Sequence, residues 1–222
     1  MASPEPALEK LLEAALPDAA AFFERARKDL QGAPGVGFRA LLASVPRRLG
    51  VTAQAALAAP PDLSAARPHW TATDYARLWL VLSALPNVAT GEQATWVVGL
   101  FEGGEIGEQV SILRVLSALP DAGRFVETGL QACRHNSLDV FEAIVCENPF
   151  LAAHFPALNF NQAVMKAIFN GVAVTRIEGL EPRITPELSR MAAGYASERR
   201  AAGRPVPKDA EYLADYRAQA GA

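Results

Sequence analysis

The sequence predicts an all-α fold, arranged either as an irregular HEAT-like stack of helix pairs or as a helical bundle. Alanine, leucine, glutamate, arginine and glutamine dominate the segments between glycine and proline breaks, and these residues favour helix over strand. Within the segments, apolar residues recur every three or four positions, which is the period of an amphipathic helix. A repeated hexapeptide bears on the choice between the two arrangements.

That hexapeptide, VLSALP, occurs at Val81–Pro86 and again at Val115–Pro120. Looser versions at Leu41–Pro46 and Leu151–Pro156 give four closing prolines that are 40, 34 and 36 residues apart. A pair of helices with its turns has about this length, and helical repeats have periods of roughly 34 to 47 residues. Proline is also a common way to end any alanine- and leucine-rich helix, so the bundle stays open as the alternative.

Capping residues and glycines predict where the helices begin and end. The predicted start residues, in chain order, are Thr71 with Asp74, Glu105 with Glu108, Ser137, Asn159, and Thr185 followed by Pro186. The predicted end residues are Gly171 and Gly203. With 222 residues the chain is expected to form one domain over 1–222, with 1–4 and 218–222 frayed.

Composition excludes several classes of protein. The net charge is −3, so the sequence lacks the basic footprint of a nucleic-acid-binding protein. No apolar run approaches the roughly 20 residues of a membrane-spanning helix, and the first residues are acidic where a secretory signal is basic. The two cysteines, Cys133 and Cys146, are too few for a disulfide framework. The expectation is a cytoplasmic protein with free thiols.

The sequence predicts no metal, no cofactor and no catalytic residue. Cys133, His135, Cys146 and His154 are the soft ligands available to a zinc ion, but their spacing matches no usual zinc pattern. A catalytic Cys–His pair is equally unsupported, because nearness in sequence does not give the geometry that activates a thiol.

Polar residues that capping does not explain are predicted to form a ligand-binding surface. Gln162 and Lys166 lie one helical turn apart, and Asn161 and Gln162 are expected in the first turn of their helix, whose Val164, Ile168 and Phe169 are expected to pack inward. The alternatives are a solvated face and an internal polar network that fixes helix packing. The predicted ligand-binding residues are Arg134, Asn136, Glu142, Asn148, His154, Asn161, Gln162 and Lys166.

Three segments resemble the EboA-domain proteins, which are described as metabolite traffic proteins. They are SVPRRLG at 44–50, CRHNSLDVFEAIVCENPFLAAHFPALNFNQAVMKAIFNG at 133–171 and RMAAGYASERRAAGRPVP at 190–207. The resemblance spans about residues 35–207. It implies a gene cluster that also encodes a UbiA-like prenyltransferase and a TatD-like hydrolase, and that moves secondary-metabolite precursors towards the periplasm.

Together with the missing catalytic motif, the resemblance favours a non-catalytic protein that binds a metabolite or acts as an adaptor. The expected partners are a hydrophobic or prenylated small molecule and other proteins of the same cluster. The alternative is an enzyme acting on a prenylated or aromatic precursor, with His135 or His154 and Glu142 or Glu147 as acid and base.

Overall fold

The structure, a computed structural model, describes residues 5–32, 34–50, 56–57 and 70–216, and in these ranges the chain is all-α, as predicted. Across them Ala56 and Thr71 form an isolated β-bridge and no strand occurs. The helices of the described ranges are α1 Glu5–Ala15, α2 Ala19–Asp29, α3 Val36–Leu49, α4 Ala72–Ala84, α5 Gln93–Glu102, α6 Ile106–Val115, α7 Val126–Arg134, α8 Leu138–Val145, α9 Phe150–His154, α10 Ala157–Phe169, α11 Pro186–Ala201 and α12 Lys208–Asp215. The expected fraying of 1–4 and 218–222 lies outside the described residues.

Contacts along the chain group it into two compact units, Met1–Ile144 and Val145–Ala222. The first unit holds α1 to α7 and nearly all of α8, and the second holds α9 to α12. That the chain forms one domain over 1–222, and that its helices form a repeat stack rather than a bundle, stay predictions. None of the described helices combines the length and the apolar character that a membrane span needs.

The first unit is built around α4. Every residue of this helix except Ser83 is buried, as expected for a helix that is apolar on nearly all sides. Helices α1, α3 and α6 pack around it. Its Trp79 ring lies 4.7 Å from the ring of Phe23, and the Trp79 indole N–H donates to the Glu9 carboxylate at 2.8 Å.

In both copies of VLSALP an α-helix gives way to a 3₁₀ turn, although at different positions of the hexapeptide. In the first, α4 gives way to a 3₁₀ turn at Leu85–Asn87, and in the second, α6 gives way to a 3₁₀ turn at Leu116–Ala118. Such tightening satisfies carbonyls that the end of an α-helix leaves without a donor. The LAAHFP version likewise closes α9 just before Pro156.

Pro46 corrects the prediction that all four prolines close helices, because it lies inside α3, which continues to Leu49. Proline lacks an N–H, so the carbonyl of Leu42, four residues earlier, loses its helical donor. The Arg77 guanidinium of α4 replaces that donor, with Nε 3.2 Å from the Leu42 oxygen. A side chain from another helix therefore compensates for the proline.

Arg77 belongs to a buried polar network that joins α3, α4 and α6. Its Nη1 donates to the Gly107 carbonyl at 2.7 Å and to Ser111 Oγ at 2.8 Å. Ser111 in turn donates to Asp74 Oδ1 at 2.7 Å, and Arg114 donates to Asp74 Oδ2 at 2.7 Å. Burial lowers the pKa of the Arg77 guanidinium, while Glu108 and Asp74 raise it.

Predicted helix starts are confirmed where the cap is a side chain. Thr71 and Asp74 form a capping box, and Asp74 Oδ2 accepts hydrogen bonds from the Thr71 N–H and hydroxyl, each at 2.9 Å. Glu105 with Glu108 forms a second capping box. Thr185 Oγ1 accepts from the Leu188 N–H at 3.2 Å, with Pro186 as the first helical residue.

The predicted start of α10 is wrong. The N-cap is Pro156, and the Phe160 N–H already donates to the Pro156 carbonyl at 2.9 Å, so Asn159 lies inside the first turn. Asn161 and Gln162 consequently lie in the second turn. Val164 and Ile168 pack inward as predicted, but the Phe169 side chain is 59% exposed, and its ring contacts Tyr195 of α11 edge-on.

Replacing Arg77 by methionine should cost the first unit about 3–5 kcal/mol, because buried acceptors lose their charged donor. In a Pro46→Ala background the cost should fall by about 1 kcal/mol, since an N–H at position 46 can again donate to the Leu42 carbonyl. Urea unfolding followed by tryptophan fluorescence measures both costs, because Trp70, Trp79 and Trp96 all lie in the first unit. Strictly additive effects of the two substitutions would contradict the proline explanation.

Stability should fall at high pH through Tyr75, which is fully buried and whose hydroxyl has no hydrogen-bond partner among the described residues. Burial, and then the Asp74 carboxylate, raise the pKa of Tyr75 from 10.0 to about 12. The tyrosine is harder to deprotonate in the folded state than in the unfolded state. Its contribution to the free energy of unfolding is therefore complete below pH 10 and is lost as the pH rises through 12.

The control is Tyr75→Phe, which has no proton to lose. Between pH 10 and 11 the parent should lose roughly 1 kcal/mol more unfolding free energy than this variant. At pH 7 the variant should be as stable as the parent or more stable, because it removes an unpaired buried hydroxyl. Parallel pH profiles would show that Tyr75 titrates normally.

Candidate functional site: a cleft in the second unit

The second unit contains a cleft of about 450 Å³ between the segment 174–182 and α12. Clefts that hold small molecules commonly have volumes of about 300–1,000 Å³ and a mostly apolar lining. We call it the loop cleft; its lining residues are Val174, Thr175, Ile177, Gly179, Leu180, Glu181, Pro182 and Tyr212.

Two contacts hold the first half of the loop wall. The backbone N–H of Val174 donates to Asp209 Oδ2 of α12 at 2.9 Å. Arg176 makes two hydrogen bonds to the Glu147 carboxylate, at 2.7 and 3.1 Å, and the Glu147 N–H donates to the Arg176 carbonyl at 2.7 Å. Glu147 has a left-handed backbone, with φ of 46°, which is uncommon for a residue with a side chain. The paired side chains offset that strain.

Arg183 holds the other end of the wall. Its guanidinium donates to the carbonyls of Ala152 and Phe155, each at 2.8 Å, and lies 4.2 Å from the centre of the Phe160 ring. Because α9 is only five residues long, its last carbonyls have no helical donors, and the arginine supplies them. The wall is therefore held at both ends by charged hydrogen bonds, which are stronger than neutral ones.

Gly179 lies in the wall at a point where no side chain fits. Its φ is +71°, and a Cβ built on it would lie 2.7 Å from the Cβ of Ala152. Glycine is the residue that tolerates both conditions. The close approach keeps the loop against α9.

The polar end of the cleft consists of Glu181 and Tyr212. Partial desolvation, and then the charge of the nearby Glu181 carboxylate, raise the pKa of the Tyr212 phenol. The phenol is therefore protonated at neutral pH and can donate a hydrogen bond. Most of the other lining residues are apolar. The cleft therefore combines apolar side chains with one negatively charged hydrogen-bond acceptor, the Glu181 carboxylate.

The residues predicted from the sequence to bind a ligand do not line this cleft. Arg134 and Asn136 are exposed or half-buried near the end of α7, and Glu142 is half-buried in α8 of the first unit. In the second unit, Gln162 is exposed and Lys166 half-buried on α10. That the eight residues line one surface stays a prediction.

Three of the predicted residues have defined surroundings in the second unit. Asn148 is buried, and its Oδ1 accepts from the Phe150 N–H at 3.0 Å, which fits its structural interpretation as a turn residue. His154 packs its ring 4.9 Å from that of Phe150. Asn161 is 3% exposed, and its Oδ1 has no hydrogen-bond partner within the described part of the chain.

The groups considered for acid–base catalysis are not among the residues that line the cleft. His135 Nδ1 accepts a hydrogen bond from the Ser137 N–H at 3.0 Å, and Glu147 is paired with Arg176. Over residues 5–32, 34–50, 56–57 and 70–216, no three histidine, cysteine, aspartate or glutamate side chains are grouped to hold a metal ion. Neither Cys133 nor Cys146 forms a disulfide; Cys133 is half-buried and Cys146 is buried.

Comparison with known protein families matches residues 8–213 to the family described as metabolite traffic protein EboA. The chain belongs to the EboA family. The match extends the resemblance at both ends and includes Tyr212 of the loop cleft. No curated protein and no solved structure matches the chain.

Sequence reasoning missed Thr175, Glu181 and Tyr212. They lie in the segment 172–185 and in the last described helix, and neither region carries a recognisable motif. The available signal was the loop itself, TRIEGLEPRIT between two long helices, because binding residues concentrate on loops that a scaffold holds in place.

Gly179→Ala should destabilise the second unit more than Gly171→Ala does. Gly171 is the matched control, since its φ is +72° but a Cβ added to it would meet no atom within 4 Å. Both variants lose stability because an alanine is strained in the left-handed backbone conformation. Gly179→Ala loses about 1–3 kcal/mol more because its methyl group is packed too closely against Ala152. Hydrogen exchange of the Val174 amide, which faces Asp209, measures the difference. Equal protection in the two variants would rule out the close approach.

Proposed function

We propose that this EboA-family protein is a non-catalytic metabolite-binding protein of a secondary-metabolite cluster, and that the loop cleft holds the metabolite. The observation that carries the proposal is the cleft itself, a cavity of about 450 Å³ lined by both apolar and polar side chains. The family description as a metabolite traffic protein supports it. In this function the protein carries its ligand between other proteins of the cluster or acts as their adaptor.

The lining suggests what the ligand looks like. Val174, Ile177 and Leu180 line the cleft but are themselves almost fully buried, whereas Pro182 is exposed. Together these apolar side chains suit a hydrophobic or prenylated body. Glu181 accepts hydrogen bonds and carries a negative charge, so the matching ligand group is a hydroxyl or an amine. A carboxylate at the same position would be repelled by Glu181.

Thermal-shift measurements with matched probes test this function. Geraniol and geranylamine carry the expected groups on an apolar body, and geranic acid carries the disfavoured one. A ligand at one hundred times its Kd stabilises a protein by about 2.7 kcal/mol, so the favoured probes should raise the melting temperature by roughly 5–10 °C. Geranic acid should have a much smaller effect.

Two variants assign the effect to the cleft. Thr175→Trp should abolish binding by filling the cavity. Among the probes, Glu181→Gln should weaken the binding of geranylamine most, by about tenfold or more. Glu198→Gln is the control, because Glu198 is exposed on α11 and does not line the cleft. If no probe stabilises the parent, or if Thr175→Trp binds as the parent does, the cleft is not the site.

A further inference from the structure

A second cavity, in the first unit, runs along α3 and has a different character. It has a volume of about 430 Å³, and we call it the α3 groove. Its lining includes Phe38 and Leu41 near the start of α3 and Arg47 and Arg48 at its end. At 1.5 Å per residue, Phe38 and Arg48 are about 15 Å apart along the helix, so the groove is elongated.

One end of the α3 groove is apolar. Leu30, Pro34, Phe38, Ala40 and Leu41 line it. Phe38 and Leu41 are only 4% and 3% exposed, and the Phe38 ring packs on Trp96 of α5, whose ring centre is 4.9 Å away. Leu30 and Pro34 are half-buried and Ala40 is exposed, so an apolar chain placed there would remove their exposed surface from water, which is favourable in proportion to the area covered.

The other end is cationic. Arg48 Nη1 lies 3.6 Å from Asp29 Oδ2, a long pair whose side chains are 35% and 52% exposed, so Asp29 neutralises it weakly. Arg47 is exposed and has no ion pair with any described residue. The Ser44 hydroxyl donates to the Leu41 carbonyl at 2.7 Å. The donors left at this end are therefore the Arg47 guanidinium and the Arg48 N–H groups that Asp29, which also lines the groove, does not engage.

We propose that the α3 groove binds an amphiphile with an anionic head, either a carboxylate or a phosphate, at Arg47 and Arg48 and with its apolar chain along Leu30, Pro34 and Ala40. The planar guanidinium group presents paired N–H donors that match both kinds of head. This site is independent of the loop cleft, whose charged lining residue is acidic, and the two cavities select opposite charges.

Isothermal titration of the full chain with four probes tests the proposal. Octyl phosphate and octanoate carry both parts of the ligand, octanol lacks the charge and inorganic phosphate lacks the chain. We expect the first two to bind at least tenfold more tightly than the last two. Phe38 contacts Trp96, so binding should also change tryptophan fluorescence. Equal affinity for octanol and octyl phosphate, or no binding of either anionic amphiphile, would overturn the proposal.

Variants locate the site. Arg47→Gln should lower the affinity for octyl phosphate by tenfold or more. Ala40 lines the groove, so Ala40→Trp should block it. Arg25→Gln is the matched control, because Arg25 is exposed on α2 and does not line the groove. Circular dichroism and melting temperature verify that each variant is folded. If Arg47→Gln and Arg25→Gln weaken binding equally, the anion is attracted by surface charge in general and the groove is not its site.

A last arm separates a free amphiphile from a lipid head group in a membrane. Vesicles of phosphatidylglycerol and of phosphatidylcholine are sedimented with the parent and with Ala40→Trp. If the ligand is free in water, octyl phosphate should bind tightly and Ala40→Trp should abolish that binding. Little of the protein should then sediment with either kind of vesicle. Sedimentation on phosphatidylglycerol that survives Ala40→Trp, without octyl phosphate binding, would replace the groove by a membrane-facing surface.

Discussion

One buried carboxylate organises the first unit. Asp74 is 2% exposed, and a buried charge without partners costs several kcal/mol. Its oxygens are satisfied by Thr71 at the start of α4 and by Ser111 and Arg114 of α6. Ser111 also accepts from Arg77, which reaches the Leu42 carbonyl of α3. The placement of three helices therefore depends on the neutralisation of one charge, and the proline in α3 is tolerated because the same network supplies its missing donor.

Arginine plays one structural role repeatedly, as a donor to backbone carbonyls that helices leave unpaired. Arg77 does so in the middle of α3, Arg39 just past the end of α5 at the Gly103 carbonyl, and Arg183 at the end of α9. Short helices make such donors necessary, because a larger share of their carbonyls lies in the last turn. In the second unit this requirement has a functional consequence, since Arg183 fixes the loop that forms one wall of the cleft.

The features that could be predicted from the sequence are local ones. Thr71 with Asp74 and Thr185 with Pro186 cap their own helices within three residues, and the pattern is visible in the letters. The helix that contains Pro46 could not be predicted, because its compensating donor, Arg77, is 35 residues from the Leu42 acceptor. The cleft was missed for the same reason, because Glu181 and Tyr212 meet only after folding and neither belongs to a motif.

The exposure of the cleft residues bears on the proposed carrier function. A carrier must release what it binds, so its polar contacts have to be specific without being tight. Glu181 and Tyr212 are both exposed at the mouth of the cleft, where water competes for hydrogen bonds and screens charge. Selectivity then comes from the sign of the charge, while affinity comes from the apolar wall.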